Sequence, residues 1–153
     1  MTMRLILTVF VASCGLGVVH GQSLQRLGAD VAAQESSTIC GVTVQTPSAL
    51  PPVNTGPVVY MIAPCFDRQG GITTIPPTDM LRAIRLRPSQ PSQGAWVPYD
   101  AVAEREIFED FQRLRANYAL AEISVDVRDF RFSNGVVGKL VTYNMVERAR
   151  VVR

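Results

Sequence analysis

The sequence predicts a small domain of the α+β class, and three observations predict it. An amphipathic helical period opens at Asp100, a period-two alternation runs from Glu122 to Arg128, and Asn134-Gly135 then leads into a second alternating stretch. An apolar helix stripe and a hairpin that is apolar on one face can bury one another, which neither can do alone.

In chain order, residues 1–21 read as a signal peptide. Arg4 gives a positive start, Leu5 to Val19 is a mostly apolar run too short for a membrane span, and Val19-His20-Gly21 offers a cut before Gln22. A second export reading stands beside it: Val11-Ala12-Ser13-Cys14 has the small-residue-then-Cys order of a lipoprotein site, with processing at Cys14. Either reading sends the chain out of the cytoplasm.

Residues 22–57, rich in Gln, Ser, Thr, Ala, Pro and Gly and without a sustained period, read as an exposed linker. Cys40 falls inside it and Cys65 just beyond. In an exported chain these two make an even pair for one disulfide, worth about 3 to 4 kcal/mol by the loop-closure argument; two free thiols are the alternative. A redox couple is disfavoured because the pair lacks the Cys-x-x-Cys spacing. Residues 58–78 read as an extended segment pinned by that bridge, with a short strand at Val58 to Ile62 and a turn at Arg68-Gln69-Gly70-Gly71. The glycine pair has neither the spacing nor the Lys-Ser/Thr of a phosphate loop.

Met80 to Arg87 reads as a strand, with Met80, Ile84 and Leu86 on one side and Arg85 and Arg87 on the other, ended by Pro88. After a loop over Ser89 to Gly94, Trp96 is expected to pack at the entrance of the helix. The helix has Asp100 as N-cap, an apolar stripe of Ala103, Ile107, Phe111 and Leu114 widened by Phe108, and Arg113 and Arg115 in its last turns. Ile123, Val125 and Val127 then alternate with Glu122, Ser124, Asp126 and Arg128 in a half-buried strand. Asn134-Gly135 predicts a two-residue type I′ turn with positive φ at both positions. The returning strand, Val136 to about Val151, carries Val137, Val141, Tyr143 and Met145 on one face and Val136 and Leu140 on the other, which suits a strand inside the sheet.

Several function classes lose support at this level. The formal charge is +2, Lys139 is the only lysine, and the arginines are scattered, so no basic stripe points to nucleic acid. His20, the single histidine, lies in the predicted signal peptide, and a chain without it has no Ser-His, Cys-His or His-metal chemistry. Glu104, Glu106, Glu109 and Asp110 form the densest carboxylate group, but Glu104 and Glu106 point apart, so the group reads as a solvated helix face. No catalytic, cofactor-binding or metal-ligating residue is assigned, and the chain is expected not to be an enzyme.

Four short motifs bear on family. Phe111-Gln112-Arg113-Leu114 closes the helix, Leu120-Ala121-Glu122-Ile123-Ser124-Val125 opens the first strand of the hairpin, Asn134-Gly135 turns it, and Val141-Thr142-Tyr143-Asn144-Met145-Val146-Glu147 is an apolar alternation closing on an acid. With these, residues 79–153 resemble a POTRA domain, the periplasmic repeat of the BamA family of outer-membrane protein assembly factors. The resemblance implies a β-α(α)-β-β domain with a three-stranded mixed sheet covered by helix on one face, its second helix falling around Ala116 to Ala119. It also implies a periplasmic protein that binds nascent outer-membrane protein strands or assembly subunits by β-augmentation, with Ile123, Ser124, Val125, Asp126 and Val127 as the docking edge and no cofactor. The outer membrane itself would be reached only through a barrel beyond Arg153. A free-standing periplasmic tether or scaffold domain with no client is the alternative.

Overall fold

The computed structural model describes residues 37–149. The predicted signal peptide, Cys14 and residues 22–36 lie outside the described residues, as does the end of the last predicted strand beyond 149. Seven elements follow in order: β1 (Thr38–Ile39), β2 (Val42–Thr43), β3 (Val58–Cys65), α1 (Pro77–Ala83), α2 (Ala101–Asn117), β4 (Leu120–Arg131) and β5 (Val137–Glu147). The fold is α+β. Its main sheet is mixed, in the order β3-β5-β4, with β3 parallel and β4 antiparallel to β5.

Helix α2 forms where its sequence says. Asp100 accepts from the amides of Val102 (2.9 Å) and Ala103 (3.1 Å), capping donors that have no partner inside the helix. Ala103, Ile107 and Leu114 are buried against Val59, Val141, Tyr143 and Met145 of the sheet, whereas Phe108 is 62% exposed. The helix runs through to Asn117 and the chain is extended at Tyr118, so no second helix forms around Ala116 to Ala119.

The second helix lies earlier, where a strand is expected. Residues Pro77–Ala83 form α1, and only the chain after it is extended. Met80 and Ile84 are buried, as the alternation expects, but they stand four apart on a helical turn. Pro77 in the first turn and Asp79 beside it favour a helix start. The third strand of the sheet is instead β3, longer than the predicted segment and part of the domain rather than a pinned extension. The domain therefore starts well before Asp79.

Strands β4 and β5 pair from Leu120 with Glu147 to Arg131 with Val137. Their turn is not type I′. Phe132 N–H donates to Val136 O (3.0 Å) and Gly135 N–H to Phe132 O (2.9 Å), which closes a three-residue loop with a bulge. Only Gly135 has a positive φ (84°), because such a loop demands it at its last position alone. A two-residue turn with both φ positive does occur, at Cys40 (49°) and Gly41 (73°), between β1 and β2.

The face of the sheet opposite the helices is also covered. Val58, Tyr60, Phe130, Phe132, Val136 and Leu140 form a second core together with Ile39 and Val44. Tyr60, Phe130 and Phe132 stack with centroids 5.0 to 5.2 Å apart, and Trp96 meets Phe132 edge-on at 5.7 Å. Trp96 thus packs beneath the sheet and not at the helix entrance, where Val97 and Tyr99 are the half-buried residues. Gly138 lies under this cluster; a Cβ there would come within 2.9 Å of both the Phe132 ring and Tyr60. Because Ile39 and Val44 are buried here, residues 37–57 are not an exposed linker. A disulfide between Cys40 and Cys65, with Cα atoms 5.3 Å apart, joins this segment to the end of β3.

One carboxylate joins the helical layer to the sheet. Asp110, expected on the solvated face, is 0% exposed. Its oxygens accept from the amides of Arg85 (2.8 Å) and Leu86 (2.9 Å) and from the Tyr143 hydroxyl (3.3 Å), and it forms an ion pair with Arg113, which also donates to Ala83 O (2.9 Å). Burial first, and then the carboxylate beside it, push the Tyr143 phenol above its ordinary range, so it stays a donor. At the end of β5, Glu147 takes hold of the loop before α1. Its carboxylate accepts from the Thr73 hydroxyl, the Thr74 amide and hydroxyl (both 2.8 Å) and the Ile75 amide (3.2 Å).

Two outcomes follow from these carboxylates. Asp110→Ala strands the buried Leu86 amide, the part-buried Arg85 amide and a cation, and urea denaturation is expected to show a loss of about 3 to 5 kcal/mol. Glu147 titrates below its ordinary value of 4.5, chiefly because Thr73 donates to its charged form. A lowered folded value means the stabilisation is present above that ordinary value and disappears as pH falls through the folded one. The gap in urea midpoint between the wild type and Glu147→Gln should accordingly be open at neutral pH and close on acidification.

Candidate functional site

A three-stranded sheet has two outer edges, and here they are treated differently. The edge of β3 is occupied at its start: Val59 donates to Val97 O (2.8 Å) and accepts from Ser89 N–H (2.8 Å), Tyr99 N–H donates to Pro57 O (2.7 Å), and the Ser89 hydroxyl adds a bond to Val59 O (2.6 Å). Further along, Pro64 has no amide hydrogen to offer and Cys65 is tied to Cys40. Strand β4 is open. Among the described residues, no main-chain hydrogen bond joins Ala121–Arg131 to any element except β5.

The register decides which groups this edge presents. Phe132 and Val136 form a hydrogen-bonded pair at the hairpin end, and bonded and non-bonded pairs alternate along an antiparallel ladder. Ser124, Asp126 and Arg128, opposite Asn144, Thr142 and Leu140, therefore turn their N–H and C=O groups inward to β5. Ile123, Val125, Val127 and Asp129 turn theirs outward. The sequence-predicted edge Ile123 to Val127 thus lies on one strand as expected, but Ser124 and Asp126 are the wrong residues for free ladder donors.

Side chains alternate as well. Ile123, Val125 and Val127 lean half-buried into the core under α2, while Glu122, Ser124, Asp126 and Arg128 are exposed on the opposite face. Glu122 pairs with Arg68, and Arg128 donates to Thr38 O (2.6 Å) and lies 3.1 Å from Asp126. Such charges are a usual way to keep an open edge from aggregating. A small open hollow beside the strand is lined by Arg68, Glu122, Ser124 and Asn144.

Phe108 is the feature that pattern reading places wrongly. Helix α1 packs on β3 and α2 on β4; Asp110 and Arg113 mark the flank of α2 that faces α1. At about 100° per residue Phe108 falls on the flank of α2 away from α1, where it stands exposed. The clue in the sequence is its offset from the stripe: Phe108 follows Ile107 directly and cannot share its direction.

Cys40 and Cys65 lie on the hairpin and on β3, with Cys65 one strand removed from Ser124 across Asn144 and lining a small hollow with both. Glu104 and Glu109 are exposed on α2, whereas Asp110 is buried, so these carboxylates do not converge. No group of three or more metal-ligating side chains is assembled, and no helix is long and apolar enough to cross a membrane, among the described residues.

Comparison with known proteins adds no relative: no family model, curated protein or solved structure matches the chain.

The register yields a direct measurement. In dilute protein, native-state amide exchange should be slow at Ser124, Asp126 and Arg128 and fast at Ile123, Val125 and Val127; the inverse pattern would mean that the opposite set of groups faces out.

Proposed function

We propose that this chain is an exported, POTRA-like periplasmic domain that binds an extended segment of another protein by β-augmentation on β4. It does so without catalysis. The observation that carries the reading is the asymmetry of the sheet: the start of β3 is closed by main-chain bonds to residues 89–99 and its end carries Pro64 and the disulfide at Cys65, while β4 offers outward N–H and C=O groups along a strand of 12 residues. Main-chain pairing of this kind tolerates many client sequences, and side chains of alternate client residues would meet the rim of α2 on one face and the charges of Glu122, Asp126 and Arg128 on the other. The element order β3-α1-α2-β4-β5 supports the resemblance in architecture. That resemblance, not the edge, supplies the client class: unfolded outer-membrane protein strands, or periplasmic subunits that assemble with them.

The test is titration with a ten-residue peptide of alternating apolar and polar residues, followed residue by residue. Binding should slow exchange at Ile123, Val125 and Val127 and leave β3 unchanged. Val125→Pro removes an outward donor without touching the ladder to β5 and should weaken binding at least about tenfold while circular dichroism stays native. No binding at millimolar peptide would transfer the proposal to the tether or scaffold role.

A further inference from the structure

The same edge is complementary to itself. An outward group on β4 can pair only with an outward group, and in an antiparallel arrangement of two β4 strands this restricts the two-fold axis to a residue position, not a point between residues. The candidate axes are few, and side-chain chemistry separates them. An axis at Ser124 sets Glu122 against Asp126, and one at Asp126 or Arg128 sets like charges directly opposite. An axis at Val127 brings Val125 against Asp129 and Ile123 against Arg131, putting charge on the half-buried face. Axes at Ile123 or Asp129 overlap less of the strand and pair no opposite charges.

With the axis at Val125 every pair from 122 to 128 is favourable, and only Ala121 against Asp129 at each end gains nothing. Glu122 of one copy faces Arg128 of the other, twice, and Ser124 faces Asp126, twice; these are the non-hydrogen-bonded positions, where side chains come closest. On the opposite face Ile123 meets Val127 and Val125 meets its own counterpart, so apolar meets apolar. We infer that the free chain forms a two-fold dimer through β4, a continuous six-stranded sheet centred on Val125. Because the axis is normal to the sheet, both α2 helices lie on the same side. Existing partners must be exchanged, Arg68 for Glu122 and both Thr38 O and Asp126 for Arg128, but these are surface contacts and exchange at little cost. The inference does not depend on client binding; it makes dimer and client competitors for one edge.

Charge reversal tests it on the full chain. Glu122→Arg alone sets two cations opposite one another at both outer pairs, and Arg128→Glu alone sets two carboxylates there. Each variant should therefore dimerise at least about tenfold more weakly than the wild type in sedimentation equilibrium at low salt. In an equimolar mixture of the two variants, each copy of one meets a copy of the other with opposite charges at both outer pairs, and the dimer should be recovered. Amide protection at Val125 should rise with concentration in the wild type and in the mixture. A wild-type chain that stays monomeric into the millimolar range would overturn the proposal, as would a dimer indifferent to these substitutions or a mixture no tighter than its parts. Peptide titration of the wild type separates the two readings: a chain that dimerises but binds no peptide loses the client reading alone, and one that binds peptide but stays monomeric loses the dimer alone.

Discussion

A buried carboxylate on α2 holds the architecture in register. Asp110 accepts from the chain leaving α1, at Arg85 and Leu86, and from Tyr143 in the central strand, while Arg113 one turn on reaches the carbonyl of Ala83 at the end of α1. A charge in that position is stable only if its oxygens are satisfied and a cation lies beside it, which restricts how the three layers can slide. Apolar packing of Leu114, Met80 and Val141 would tolerate several neighbouring arrangements. The directional bonds select one of them, and with it the position of α2 over β4 that defines the open edge.

Much of this is legible in the local pattern, and the exceptions have physical causes. The N-cap at Asp100, the alternation of β4 and the two-sided apolarity of β5 depend on neighbours within a few residues, so they survive folding unchanged. Helix α1 reads as a strand because Met80, Ile84 and Leu86 suit either period and the segment is short; the deciding signals, Pro77 and Asp79, lie at its start. Charge alone assigns Asp110 to the solvated face, although positions 103, 107, 110 and 114 trace the buried stripe. That spacing is the available clue. The parallel pairing of β3 with β5 joins segments far apart in sequence and has no local signature.

The site divides in the same way. Period two identifies the correct strand, but which of its amides face outward depends on the bonding frame at Phe132 and Val136, which differs between turn types. A two-residue turn and a three-residue loop move that frame, so the distinction between Ser124 and Val125 as donors comes only from the fold. The closure of the β3 edge by residues 89–99 is likewise a tertiary fact.

The disulfide has a mechanical consequence. Tension entering the chain from its N-terminal side reaches Cys40 and passes through the bridge to Cys65, at the far end of β3. The intervening residues, with the start of β3 and its bonds to residues 89–99, lie off the load path and cannot be peeled away one by one. Once the bridge is reduced, the same pull arrives at Val58 and unzips that edge first. The oxidation state of one pair of cysteines thus sets the route by which force would cross the domain.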